Sequence, residues 1–283
     1  MSRLIKANFS RLFGNAQFRI LTMLLFGIGC LSAVSKRFEL QAYMEMFGIT
    51  KEDIPTVTTQ LLPEFLMFQG GFIVMFALAL FIGQFVGTEY SDYTIRNKLI
   101  VGHSKKAVYI ANLLVCSTAG IIMHLTYIIS DYIFASIMIT SYHYWTAGKL
   151  ILMLTTTLFT TVAFTSMSVL FSMCNQSKAS GSVYILVMAV TTALLSVGIL
   201  DALHAGNYLN AFHKGIYILL DNMLPTGQYY HFMRMDDTST GLAFAGEITE
   251  ETVKLIKHIG YSVIVVILST GIGTAIFNRK NVK

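Results

Sequence analysis

Phe65–Val86 reads FLMFQGGFIVMFALALFIGQFV. It is 22 residues long and holds no charged side chain. At a helical rise of 1.5 Å per residue it measures about 33 Å, the thickness of a bilayer's hydrocarbon core. The stretch predicts a transmembrane helix. Working outward, five more stretches of this kind follow: Ile20–Val34, Ala107–Ile129, Lys149–Met173, Gly181–Leu200 and Ile259–Phe277. After Ile129 the apolar character continues to about Tyr144, too far for one span and too short for two with a proper loop. We read it as an interfacial stretch rich in Tyr and Phe. Asp201–His258 is the longest region outside the spans and contains an apolar island, Ile216–Leu224. The expected fold is all-α and integral to the membrane, one domain over residues 1–283.

The composition agrees with this. Hydrophobic residues make up 54% of the chain and charged residues 12%. A water-soluble domain carries about twice that charged fraction. Strand-like alternation is absent and prolines number three, so helical spans fit better than a barrel. Before the first span, Met1–Arg19 carries Arg3, Lys6, Arg11 and Arg19 and no acid. Leu4, Ile5, Phe9, Leu12, Phe13 and Ala16 recur there at helical spacing. That pattern predicts an amphipathic helix at the inner leaflet, a disordered basic tail being the plainer reading.

Charge sets the orientation. The N-terminal segment, Gly87–Lys106, Cys174–Ser180 and the C-terminal residues together hold twelve Lys/Arg against two acids, Glu89 and Asp92. The segments between hold eight Lys/Arg and twelve acids. Basic-rich flanks face the cytoplasm. Six spans then place both termini there, and membrane topology accounts for the +5 net charge without nucleic acid.

No motif for chemistry emerges. The seven histidines form no HxxxH or HExxH, no GxxxxGK[ST] occurs, and no carboxylate pair lies within a span. No enzyme activity, metal or cofactor is therefore expected in this chain. Cys30, Cys116 and Cys174 are odd in number and lie in or beside apolar runs, which suits packing rather than a disulfide framework. The Thr-rich run from Thr155 to Thr165 suits hydroxyls that bond backbone carbonyls or pack helices. Gly83 and Gly87 form a GxxxG step, for close helix approach within this chain or between two copies. Asp131 is the one acid near a span. Two readings stand for it, an anchor at the outer interface or a group in a translocation pathway.

The segment between the second and third spans runs from Glu89 to Lys106 and is EYSDYTIRNKLIVGHSKK. Tyr90, Tyr93, Ile95, Leu99 and Ile100 mix with charges in a helix-compatible pattern, and Gly102 is a stop signal. A plain connector needs fewer residues and no aromatics. A helix across the cytoplasmic end of the spans, with an apolar and aromatic face, suits docking into a groove on another protein. The plainer reading is a solvated loop whose charges only set topology.

This segment resembles the signature loop of ABC-2 type permeases, in particular the bacterial subgroup related to lantibiotic-immunity and bacitracin-export permeases. The resemblance lies in Glu89, then Thr94-Ile95-Arg96-Asn97-Lys98-Leu99, then Gly102 and Ser104-Lys105. Tyr93 stands where that family usually has Gly, and Asn112 where a Lys often begins the third span. The basic start, the span count, the long last outer loop and the closing Phe277-Asn278-Arg279-Lys280 resemble it more coarsely.

The resemblance implies that Glu89, Tyr90, Tyr93, Thr94, Arg96, Asn97, Lys98, Leu99 and Gly102 form a coupling helix seated in a cleft of a separate ATPase subunit. There Arg96 and Lys98 would pair with acids of the partner, and Glu89 with a base. ATP and Mg would belong to that subunit, and a second permease chain would complete the transporter. Leu224-Pro225-Thr226-Gly227-Gln228 implies short re-entrant helices on the outer side before the sixth span. The expected function is export, with an amphipathic or antimicrobial peptide as one substrate class, in the bacterial plasma membrane. The runner-up is a membrane anchor or sensor that docks a signalling protein through the same loop without transporting anything.

Overall fold

The computed structural model describes residues 1–48, 70–138, 147–175, 178–204, 210–234 and 248–280. Among these the secondary structure is helical, with no strand. Six helices are long and apolar enough to cross a membrane, the build of a multi-pass membrane protein. They are α2 (Ala16–Phe47), α3 (Gly71–Ser91), α5 (Lys105–Met138), α6 (Ala147–Cys174), α7 (Lys178–His204) and α10 (Ile248–Arg279). The others are α1 (Ser2–Gly14), α4 (Thr94–Ile100), α8 (Ala211–Met223) and α9 (Pro225–Arg234).

Helices α3, α5 and α6 form the centre, each buried over half or more of its apolar stretch. Each carries one outer helix: α2 lies along α5, α7 along α3, and α10 along α6. The outer three expose Leu31, Val187, Leu194, Ile267 and other large apolar side chains. In lipid such a surface needs no polar cover, because acyl chains are as apolar as Leu.

The helices outrun the spans expected from hydropathy. Hydropathy predicts the first span over Ile20–Val34, yet α2 continues through Ser35, Lys36, Arg37 and Glu39 to Phe47. Polar residues end an apolar run without ending a helix. Lys36 and Glu39 are paired at 2.7 Å on one helix face. The stop is Gly48, whose φ of 64° is the left-handed conformation that glycine takes freely, with its N–H donating to the Met44 carbonyl.

The third span, expected to close at Ile129 before an interfacial stretch, is one helix to Met138. Asp131 lies inside it. The fourth and fifth helices overhang their expected limits by a few residues. The sixth begins at Ile248 rather than Ile259, because charged residues from Glu250 to Lys257 extend the helix outside its apolar portion. For the second span, residues 65–69 lie outside the described residues, and α3 runs on past Val86 to Ser91. The apolar island at Ile216–Leu224 falls in α8. Pro225 opens α9, where its fixed φ suits a first helical turn.

Helix α1 is amphipathic, and its apolar face is turned to the protein. Leu4 and Leu12 are buried, and α1 packs on α5. Phe13, expected on that face, is exposed.

Candidate functional site

The last turn of α3 carries Glu89, whose side chain has no exposure at all. An unpaired carboxylate would be held there at great cost, so its partners define the site. Arg11 of α1 and Lys98 of α4 both donate to Glu89 Oε1. Asn112 of α5 donates from Nδ2 to Glu89 Oε2 at 2.6 Å. Asn8 of α1 closes the ring: its Nδ2 donates to Asn112 Oδ1 at 2.8 Å, and its Oδ1 accepts from Lys98 Nζ at 2.9 Å. Arg11 also donates to the Phe85 carbonyl at 2.9 Å, and its guanidinium lies 3.8 Å from the centre of the Phe85 ring. Four helices therefore meet on one carboxylate.

Two cations on one anion leave a net positive charge. Arg11 keeps some contact with solvent, while Lys98 is nearly enclosed. Burial pulls the pKa of Lys98 below its ordinary 10.5, and the charge of Glu89 acts against that pull. Further bonds fasten the neighbouring helix ends. Tyr90 donates its phenol to the Met173 carbonyl at 2.7 Å, tying α3 to α6. Lys280 donates to the Cys174 carbonyl, and Lys105 to the Lys280 carbonyl at 2.7 Å.

Helix α4 has an inner and an outer side. Ile95 is buried and Leu99 packs on the core. Arg96 and Asn97 face outward. Tyr93, Ile100 and Val101 are 59%, 72% and 78% exposed, an apolar and aromatic patch with a cation beside it. Gly102 follows with a φ of 97°, ending the helix as its glycine signalled.

The loop residues thus divide into two groups, which sequence reasoning had treated as one. Glu89 and Tyr90 belong to α3, because regular helical bonding continues to Ser91; the short helix itself is Thr94–Ile100. Glu89 and Lys98, expected to meet charges on a partner, are engaged inside this chain. Their proximity follows from the tight turn at Tyr93, which folds α4 back against the end of α3. Arg96, Asn97 and Tyr93 remain on the surface, and Thr94 is half-buried.

Tyr93 sits at φ 55° and ψ 17° and is the described residue other than glycine with positive φ. Such a backbone costs a side-chain-bearing residue about 1–2 kcal/mol. This is the position where the resembling loops have Gly. Tyr93→Gly is expected to hold or raise thermal stability, whereas Tyr93→Val, with a branched Cβ, is expected to lose about 1 kcal/mol or more. Unfolding of the purified variants in detergent measures both; a less stable Gly variant would remove the strain argument.

Asn8 and Arg11 were missed as a site. The signal was present: Leu4, Asn8 and Leu12 recur every four residues, so Asn8 is a polar residue on an apolar stripe. Asn112 was noted only as a departure from a family pattern; it is buried and bonded to the cluster.

Of the remaining candidates, Gly83 meets α7 at the Ser182 backbone, while Gly87 is buried in α3. Asp131 is fully buried against α2. Ser32 and Lys36 are the polar groups that face it, and no well-formed hydrogen bond reaches either carboxylate oxygen. Its rise places it about 39 Å along α5 from Lys105, near the far end of that helix, but turned toward protein. Asp131→Asn is expected to leave stability unchanged or raise it by up to about 1 kcal/mol, since Ser32 and Lys36 offset only part of the cost of a buried carboxylate. A fall in melting temperature would show a bonded role instead.

The Thr-rich helix behaves as its composition implied. Thr155, Thr156, Thr157, Thr160 and Thr161 each donate to the carbonyl four residues earlier. No protein-family model and no curated protein matches this chain.

Proposed function

We propose that this chain is the membrane-spanning permease subunit of an exporter of the ABC-2 type, driven by ATP hydrolysed on a separate subunit. The observation that carries the reading is the two-sided build of α4. Its outer side is an uncovered patch of Tyr93, Arg96, Ile100 and Val101. Its inner side is bonded through Lys98 and Glu89 to α1, α3 and α5. A push on the patch is thereby delivered to the second and third spans rather than absorbed by a slack loop. Resemblance of the loop to ABC-2 permeases and the basic bias of this side support the same reading. It puts the protein in the bacterial plasma membrane with both termini cytoplasmic.

In this reading two permease chains and two ATPase subunits work together. ATP binding closes the ATPases, and α4 carries the motion into the bundle. Substrate then moves outward because its contacts differ between the two states. Helices α8 and α9 would be the outer re-entrant pair, and amphipathic peptides the cargo class.

The test is co-purification with the ATPase from a neighbouring reading frame and ATP hydrolysis by the reconstituted complex. Tyr93→Ala, Arg96→Ala and Ile100→Glu are each expected to weaken assembly about tenfold or more, as central contacts of an interface do. If all three leave assembly and stimulated hydrolysis intact, the docking face is wrong. A tight complex with a partner that hydrolyses no ATP would favour the anchor or sensor instead.

A further inference from the structure

Near the middle of the bundle, uncharged polar groups from three spanning helices converge on the short helix α9. Gln228 Oε1 accepts from Thr160 of α6 at 2.6 Å and from Ser262 of α10 at 2.8 Å, and its amide donates to the Asn222 carbonyl at 2.7 Å. The Tyr229 phenol is 2.7 Å from Thr161 Oγ1 and 3.0 Å from Nδ1 of His124 on α5. Its ring stacks on the imidazole with centres 5.7 Å apart. All six side chains are buried, and none of the six is an acid, a lysine or an arginine.

Two features separate this from ordinary core packing. First, the threonines do not depend on α9. Thr160 and Thr161 each have a carbonyl of their own helix within reach as an alternative acceptor, at 3.0 and 2.9 Å. Withdrawing α9 therefore orphans neither threonine, and Ser262 is the hydroxyl that would lose its acceptor and be open to another. Second, there is capacity that α9 leaves unfilled. Among the described residues, His124 Nε2 is buried without a hydrogen-bond partner. A buried polar atom without a partner is costly unless another state supplies one.

We propose that this is an internal binding site for an uncharged peptide segment carrying an amide beside an aromatic ring, with Gln228 and Tyr229 of α9 as its resident occupants. The side-chain amide of Gln228 presents the same acceptor and donor as a peptide bond. The phenol of Tyr229 marks a slot for an aromatic ring against His124. A charged ligand is disfavoured at these six side chains, none of which is an acid, a lysine or an arginine that could pair its charge. The inference deepens the exporter reading and rests on it for the direction in which the occupant leaves.

The experiment uses the purified permease in lipid nanodiscs, without the ATPase. The probe is a fluorescein-labelled peptide amide with the sequence of residues 224–233, followed by anisotropy. Gln228→Leu/Tyr229→Phe loosens the resident segment and is expected to bind the peptide at least tenfold more tightly than the parent chain. Adding Thr160→Val/Thr161→Val removes the gain. Equal binding to parent and variant, or a gain that survives the valine substitutions, overturns the proposal.

A second arm does not depend on that variant folding. Ser196 Oγ and Thr226 Oγ1 are 3.0 Å apart, joining α7 to α9. Ser196→Cys/Thr226→Cys, in a chain whose three native cysteines are replaced by alanine, can be oxidised to hold α9 in place. The oxidised form is expected to bind less peptide than the reduced form; equal binding also overturns the proposal. Stimulated ATP hydrolysis is read separately, so its failure removes the exporter reading and leaves the binding result intact.

Discussion

Glu89→Ala is expected to lose about 3 kcal/mol of stability, the lower end of what removing one partner from a buried ion pair costs. The lower end applies because Arg11 keeps 30% side-chain exposure and can turn its charge to solvent. Lys98 has less escape at 12% and would be left beside a bare cation. Asn112 would also lose the acceptor that now lies 2.6 Å away.

The loss has a pH signature. Burial already lowers the pKa of Lys98 below 10.5, and Glu89 is the charge that opposes the shift. Without Glu89 the folded chain gives up the Lys98 proton at lower pH, while the unfolded chain holds it until about 10.5. Over that window the unfolded state binds more protons, so stability rises with pH. The deficit of Glu89→Ala should therefore shrink as pH is raised toward that value. Lys98→Met in the same background should recover part of the loss and flatten the slope. Denaturation in detergent at several pH values measures this. A deficit that does not vary with pH and is not relieved by Lys98→Met would show that the cluster is held by packing rather than charge.

Gly83→Leu is expected to cost at least about 3 kcal/mol, beyond the usual range of about 1–3 for overpacking, because backbone stands in the way. A Cβ at position 83 would fall 2.5 Å from Ser182 Cα and 2.9 Å from its Cβ. A Cβ built at Gly181, the neighbouring position on α7, would fall 3.9 Å from the Gly83 carbonyl. The two helices touch backbone to backbone, and α7 must move bodily to admit a side chain. Gly83→Ala should already cost about 2 kcal/mol. Ser182→Gly should restore only part of it, since the closest obstacle is a backbone atom. Full rescue by Ser182→Gly, measured by thermal unfolding, would place the clash on the side chain and contradict the close crossing. The position also decides between two uses expected of Gly83, because its partner is in the same chain.

The spans were legible because hydropathy integrates over twenty residues and tolerates local exceptions. Phe65–Val86 needed no context to be read as a span. Helix ends were less legible because they depend on single residues and on what lies beyond the lipid. Lys36, Arg37 and Glu39 leave the bilayer yet favour helix, so α2 runs on until Gly48 turns it. The turn between α3 and α4 was hidden for the opposite reason. Tyr93 carries no turn signal, and its left-handed backbone accompanies the burial of Ile95 and the bond of Lys98 to Glu89, both in the helix that follows it. In the candidate site, Tyr93, Arg96 and Ile100 were legible as loop residues of interest, but not as an outward group separate from Ile95, Lys98 and Leu99. The inward group was not legible as one either.

By itself, then, the amino-acid order determined that this protein is a bundle of six membrane-crossing helices with a basic side, and that the segment after the second span is more than a connector. Those properties are sums along the chain: apolar length, charge bias and periodicity. Only the tertiary structure decided that Glu89 is shared by Arg11, Lys98 and Asn112, that α1 turns its apolar face inward, and that Gln228 and Tyr229 sit among three spans. Arg11 and Glu89 are 78 positions apart, and Tyr229 and His124 are 105 apart. No local pattern relates such residues. They meet because apolar helices, once packed, leave their few polar side chains little choice of partner, and a buried charge or amide is stable only where another helix brings its complement.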